Sequence, residues 1–354
     1  MADGSFLQRL FRSQTDSPIG PPGIDGDLCV HSLVADASCR RCAQACPRGA
    51  IEFNDLELSL DRTRCDGCGL CVPACPQQAI TGHGAAAIRG ASTLFAACQR
   101  VATLGSEGVL PCLHSIGVDG LIRYWLVGVR KLRLVYGCCE GCTRNGGERL
   151  SGAVAAVNAL LASRELEEIE VVELASANWH AAFARAQGRG EIHPQRRRFL
   201  GAGLTELVGL ISPPDGESAA GRPARPTAML PDTPAAVFAH VPEVDELACT
   251  GCDTCVRICP QGALDFVEQE DQAAYAIQPA LCTGCAMCRD VCEPKAISVH
   301  RMRRSRQSTV RLSARRCRAC GTSWHSPAGE AKSELCRICR KTQRHRLLYQ
   351  VVDA

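Results

Sequence analysis

Cys249-Thr250-Gly251-Cys252-Asp253-Thr254-Cys255-Val256-Arg257-Ile258-Cys259-Pro260 is the stretch on which the fold turns. Its spacing returns as Cys282, Cys285, Cys288 and Cys292. A cubane 4Fe-4S cluster needs four thiolates at its corners. Short intervals put three of them on one loop, and the fourth comes from the partner motif. The crossed rule therefore assigns Cys249, Cys252, Cys255 and Cys292 to one cluster, and Cys282, Cys285, Cys288 and Cys259 to another. Structural zinc is the blander reading, but zinc sites rarely use such a run of four cysteines repeated twice.

Working outward, the end of each motif recurs as Cys-Pro/Glu-x-x-Ala-Ile/Leu. It stands at Cys46–Ile51, Cys75–Ile80, Cys259–Leu264 and Cys292–Ile297, giving two modules of two copies over 27–83 and 243–299. Alternation in Ile51–Leu60 predicts a hairpin turning at Asn54-Asp55. The first module has a complete Cys65, Cys68, Cys71, Cys75-Pro76 motif, but its other motif reads Cys39, Cys42, Cys46-Pro47 with Asp36 where a first cysteine belongs. One cluster then takes Cys65, Cys68, Cys71 and Cys46. The other takes Cys39, Cys42, Cys75 and one more ligand: Cys29 if the loop folds back, Asp36 through oxygen, or none in a three-iron cluster. Both modules resemble bacterial-type ferredoxin domains holding two 4Fe-4S clusters, some of which show a similarly widened spacing.

The stretch 88–210 has a different grammar. Strand-like 92–97, 109–111, 132–136 and 169–174 alternate with helical 117–129 and 147–163, which predicts a small α/β unit with parallel strands. Residues 175–210 read as mostly helical. Cys98, Cys112, Cys138, Cys139 and Cys142 stand at strand C-terminal ends, which converge at one edge of a parallel sheet. This arrangement resembles the iron-sulfur delta subunit of methyl-viologen-reducing hydrogenase. The resemblance implies a 2Fe-2S cluster on Cys98, Cys112, Cys138 and Cys142, with Cys139 an alternative to Cys138. Buried, unmetallated thiols are the competing reading, and His114 is read as a helix-start residue rather than a Rieske-type ligand.

Residues 211–242, rich in proline, glycine and alanine, predict a linker. The basic tail 300–354 carries Cys317, Cys320, Cys336 and Cys339 at the spacing of two knuckles closing one tetrahedral zinc site, and resembles a zinc ribbon. Rubredoxin-like iron and a ligand role for His325 are the alternatives. The expected cofactors are four 4Fe-4S clusters, one 2Fe-2S cluster and one zinc ion. The expected fold is a mixed α+β and α/β multidomain chain of two ferredoxin-like dicluster modules, one parallel α/β unit and a zinc-ribbon tail.

Cysteine makes up 25 of 354 residues while aromatics are only 4%, which points to small modules stabilised by metal. Residues 1–26 read as a flexible N-terminus without the apolar core of an export signal. The most apolar stretch, 121–136, is interrupted by Arg123, Arg130, Lys131 and Arg133, so no membrane span is expected. These features predict a cytoplasmic protein with reduced thiols. The formal charge of +3 counts thiols as neutral. Six four-thiolate sites at about −2 each would bring the loaded chain to about −9.

No phosphate-cradling glycine loop follows a strand and no nucleophile motif appears, so independent catalysis is not expected; a reactive Cys139 is the one opening for it. The leading expectation is an electron-transfer subunit relaying single electrons between partner oxidoreductases, such as a hydrogenase, formate dehydrogenase, reductase or flavin-based complex. The second is a redox-responsive regulatory or nucleic-acid-binding protein, using arginines such as Arg301, Arg303, Arg304, Arg306, Arg315 and Arg316. A basic face docking on an acidic redox partner accounts better for four cubanes, so nucleic acid is not the expected partner.

Overall fold

The computed structural model describes residues 20–53, 58–82, 86–89, 92–102, 107–144, 149–188, 225–269, 272–328 and 333–342. Most of the flexible N-terminus expected from the sequence, the Asn54-Asp55 turn, the helical reading beyond 188 and the first half of the expected linker lie outside them. Two compact units divide the chain, largely before and after the Val237–Phe238 bond. No helix among the described residues is long and apolar enough to cross a membrane.

The first unit opens with module one: β1 (Gly23–Ile24), α1 (Val30–Leu33), α2 (Arg41–Ala45), β2 (Ile51–Phe53), β3 (Leu58–Leu60) and β4 (Ile80–Thr81). Alternation of Ile51 and Phe53 against Leu58 and Leu60 makes β2 and β3 an antiparallel pair. β1 pairs with β4, Gly23 opposite Thr81, so the module begins ahead of residue 27. Its core is half thiol: Ile51, Leu58, Ala79 and Ile80 pack with Cys29, Cys42, Cys71 and Cys75. Strands this short cannot bury a core of their own, so the cysteine-bearing loops are the packing centre.

The same unit continues with β5 (Ala87–Arg89), β6 (Thr93–Cys98), β7 (Val109–Leu110), α3 (Val118–Leu126), β8 (Lys131–Val135), α4 (Arg149–Ala162), β9 (Glu170–Glu173) and α5 (Ser176–Gly188). β6, β8 and β9 lie side by side in parallel. β7 joins β6 in parallel at Ala97 and Cys98, and β5 pairs antiparallel near its start. Leu94 to Cys98 is buried throughout because both faces of β6 are covered. Trp179 and Ala182 of α5 pack on Phe95, Ala97 and Val135. The observed strands and helices lie within two residues of the ranges read from periodicity, except that the helix read to 129 ends at Leu126.

The sequence reads separate domains at 27–83 and 88–210, whereas the structure gathers them into one compact unit. It also reads 211–242 as a linker, yet its second half is bound to the fold. Arg164 donates to Leu160 O, Pro231 O and Val237 O, each at 2.8 Å, and Arg225 pairs with Asp119. Composition cannot show such an anchor, because it lies in one buried arginine in the turn that follows α4.

The second unit holds β10 (Val237–Val244), α6 (Thr254–Ile258), β11 (Leu264–Gln269), β12 (Gln272–Ile277), α7 (Met287–Asp290), β13 (Ile297–Arg304), β14 (Thr309–Arg316), β15 (Ser323–Pro327) and α8 (Arg337–Thr342). β10 pairs with β13, while β11-β12-β14-β15 form one antiparallel sheet. The boundary expected at 299/300 therefore falls inside a strand. Val310 and Leu312 of the tail alternate inward and pack with Tyr275 and Ile277 of the module, which makes the tail an extension of its sheet.

Candidate metal centres

The four Cys-x-x-x-Ala repeats have one geometric reason. The residue before each alanine has positive φ: Gly49 at 57°, Gln78 at 55°, Gly262 at 67° and Lys295 at 55°. This left-handed turn swings the alanine amide back toward the cysteine four residues earlier. Ala50 N donates to Cys46 Sγ at 3.3 Å, Ala79 N to Cys75 Sγ at 3.3 Å and Ala296 N to Cys292 Sγ at 3.2 Å. The alanines are buried, from 0% exposure at Ala50 and Ala79 to 3% at Ala263 and Ala296, so the turn has no room for a large side chain.

Within the three complete motifs a second signature appears. Gly67, Gly251 and Gly284, and then Gly69, Asp253 and Ala286, all have positive φ, which curls each Cys-x-x-Cys-x-x-Cys run around a common centre. Cys46, Cys65, Cys68 and Cys71 line one cavity, and Cys259, Cys282, Cys285 and Cys288 line another. Burial pushes the Cys71 thiol up to about 12, with Cys68 and Cys46 adding to it. Burial likewise raises Cys288, reinforced by Cys285, Cys282 and Cys259. Cys255 is pushed up to about 12 by burial, then by Cys249, Cys252 and Cys292, the set expected together.

The incomplete motif folds differently. Arg40 has φ of −133° and leads directly into α2, so there is no curled loop to carry a cysteine at position 36. Asp36 is exposed, and the cavity lined by Cys39, Cys42 and Cys75 is completed by Cys29. Cys29 is brought in at the start of α1, where His31 Nε2 lies 2.8 Å from Cys39 O and ties the two segments. The His31 ring in turn packs on Phe53 at 4.8 Å. Burial, followed by Cys75 and Cys39, pushes Cys42 up to about 12.

In the α/β unit, Cys98, Cys112, Cys138, Cys139 and Cys142 line one cavity with His114, Tyr136, Arg100 and Arg144. Cys98 ends β6, Cys112 follows β7, and the other three follow β8, so the parallel sheet delivers them to one edge. Cys112 is buried and pushed up to about 11, first by desolvation and then by Cys98 and Cys68. Cys138 is exposed, whereas Cys139 is half-buried and faces His114. Sequence reasoning sets His114 aside as a helix-start residue and misses Arg144; nothing in their local sequence marks either as lining the cavity.

In the tail, the Sγ atoms of Cys317, Cys320, Cys336 and Cys339 all lie within 4.8 Å of one another, with Cys320 and Cys336 at 3.8 Å. A tetrahedral ion with metal–sulfur bonds of about 2.3 Å would set its sulfurs about 3.8 Å apart. The amides of Cys320 and Cys336 hold the Cys317 thiol low. His325 stands apart from this group. Its Nε2 lies 2.7 Å from Asp253 Oδ1, which also accepts from Tyr275 OH at 2.7 Å.

All 25 thiols are free of disulfides. A neutral thiol can be buried singly in an apolar core, but here thiols from separated motifs converge in sets of four or more, and such a donor set fits metal, which would bind them as thiolates.

Comparison with known proteins supports part of this reading. A 4Fe-4S binding domain model matches residues 58–81, and a 4Fe-4S dicluster domain model matches 248–296. Over 42 residues the chain is 43% identical to a subunit of the ion-translocating oxidoreductase complex of Methanosarcina acetivorans, covering 12% of this chain and 16% of that one. Over 59 residues it is 37% identical to the pyruvate synthase subunit PorD of Methanothermobacter marburgensis, covering 17% and 60%. The matches thus span less than two thirds of either relative. The chain contains two 4Fe-4S ferredoxin-type domains within a mixed α/β multidomain fold.

Proposed function

We propose that this chain is an iron-sulfur electron-transfer subunit that relays single electrons between partner oxidoreductases in a larger complex. The observation that carries the reading is the gathering of thiols from separated motifs: three cavities are each lined by four of them, and Cys255 and Cys292 share a core cluster against which Cys249 packs. Cys29, Cys39, Cys42 and Cys75 would hold one 4Fe-4S cluster, and Cys46, Cys65, Cys68 and Cys71 a second. Cys249, Cys252, Cys255 and Cys292 would hold a third, and Cys259, Cys282, Cys285 and Cys288 a fourth. The clusters supply one-electron storage; the chain contributes buried thiols and amides aimed at sulfur, which tune potential.

The central cavity would take a 2Fe-2S cluster, as in the hydrogenase delta subunit it resembles, and the tail a zinc ion on Cys317, Cys320, Cys336 and Cys339. Both named relatives are subunits of oxidoreductases, which supports a partner of that class, whether hydrogenase, formate dehydrogenase, reductase or flavin-based complex. Exposed Arg301, Arg304, Arg311 and Arg316 offer positive charge to an acidic redox partner. Anaerobic isolation of the tagged chain tests the reading. Stoichiometric capture of a flavin- or metal-containing oxidoreductase, with uptake of about five electrons per chain on reductive titration, is expected. Sequence-selective, salt-dependent duplex binding with no such partner would replace it with the regulatory reading.

A further inference from the structure

Module one and the central thiol cavity meet inside the first unit, and the seam between them is closely built. Cys68, Leu70 and Cys112 form one buried cluster. Arg144 spans it: Nε donates to Asp66 Oδ2 at 2.9 Å, Nη2 to Asp66 O at 3.1 Å and Nη1 to Pro111 O at 2.7 Å. Asp66 lies between Cys65 and Cys68, and Pro111 immediately precedes Cys112. One guanidinium, 12% exposed, thus ties a loop of one thiol set to a loop of the other. The backbones approach closely on either side. A Cβ on Gly69 would lie 3.3 Å from Ser115 Cβ, and one on Gly117 would lie 2.3 Å from Pro73 Cβ. Arg48 adds a link from Asp66 at 3.3 Å to Thr143 Oγ1 at 3.3 Å.

We propose that the Cys68–Leu70–Cys112 seam is the route by which electrons pass between module one and the central site, and that Arg144 is the positioning residue that holds its two ends together. The proposal rests on the electron-transfer reading above. One electron leaves the site at Cys46, Cys65, Cys68 and Cys71, which is oxidised by one, and arrives at the central site, which is reduced by one. No bond forms or breaks and no proton moves. The order along the unit is then Cys29 set, Cys46 set, central site, because Cys42 of the first set and Cys71 of the second share one buried core cluster. Guanidinium charge between two sites that each become more negative on reduction favours the reduced state of both.

The test uses the full-length holoprotein, as wild type, Arg144→Ala, Arg144→Lys and Cys112→Ser, with iron content, electron paramagnetic resonance and potentiometric titration. In the wild type, the central signal is expected to show magnetic interaction with a module-one signal. Arg144→Ala should weaken that interaction and shift one of the two couples about tenfold toward the oxidised form, about 59 mV for one electron. Arg144→Lys keeps the charge but not the three-way clamp, so it should retain most of the potential and still lose interaction. Unchanged interaction and potentials in Arg144→Ala at full iron content overturn the proposal. If Arg144→Ala sheds iron, Arg144→Lys decides, and unchanged interaction there overturns it equally. Iron content and a central-signal potential that both stay at wild-type values in Cys112→Ser overturn the functional reading of the central site instead.

Discussion

Cys139 Sγ lies 3.6 Å from His114 Nε2, while His114 Nδ1 accepts the Leu150 amide at 3.3 Å. The second bond fixes the tautomer, leaving Nε2–H as a donor to sulfur. Burial first, and then the Arg149 charge, hold the imidazole below its ordinary pKa, so the ring is neutral at pH 7. Hydrogen bonds to cluster sulfur raise reduction potential. His114→Ala should therefore make the central couple more negative, on the order of tenfold in its equilibrium, about 59 mV. Potentiometric titration of the central signal checks this; an unchanged potential would place Cys139 outside the ligand set.

Cys29 and Asp36 are the two ligands the sequence offers beside Cys39, Cys42 and Cys75, and of the two Cys29 lines the cavity. Cys29→Ala should convert that cluster to a three-iron form, losing about one iron per chain with a new resonance signal. Asp36→Asn should change neither. A signal that responds to Asp36→Asn and not to Cys29→Ala would reverse the assignment.

Gly251 and Gly262 share nearly the same φ, 66° and 67°, but differ in surroundings. A Cβ at Gly262 meets nothing within 4 Å, whereas one at Gly251 would lie 2.2 Å from His325 O of β15. Gly262→Ala should cost roughly 1–2 kcal/mol from backbone conformation alone. Gly251→Ala should cost roughly 1–3 kcal/mol more from the clash. Denaturant unfolding of holoprotein variants measures the difference, and equal costs would mean β15 does not cover that loop.

Zinc in the tail should hold β15 and α8 in place while β14 stays paired with β12. Amides lower the Cys317 thiol; the Cys320 side chain first, and then burial, raise Cys339. Ligation must remove the protons that remain, so zinc uptake should release protons and strengthen as pH rises. Cys339→Ser should lose the ion and expose the amides of β15 to hydrogen exchange. Retention of one zinc per chain in Cys339→Ser would contradict the four-thiolate site.

Much of this arrangement is legible in the sequence because metal-ligand spacing and strand periodicity are local. The Cys249 and Cys282 motifs carry their own loop geometry; the strand ending at Cys98 is an apolar run, and the one before Cys138 alternates Leu132 and Leu134 with Lys131 and Arg133. The Cys-x-x-x-Ala repeat is visible too, although its cause, an amide turned onto sulfur, needs the φ of Gln78 and Lys295. What the sequence does not show is long-range. Arg144 meets a carboxylate 78 residues away, and Arg164 a carbonyl 73 residues away. The tail's β14 looks like a separate basic ribbon because Arg311, Arg315 and Arg316 dominate its composition, while Val310 and Leu312 decide its packing.

Metal content of the anaerobically purified chain tests the central claim most directly. Four cubanes, one 2Fe-2S cluster and one zinc ion predict about 18 iron atoms and about one zinc per chain. About eight iron atoms would contradict the account, since they would leave module one and the central cavity without their clusters and reduce the chain to a single dicluster ferredoxin domain.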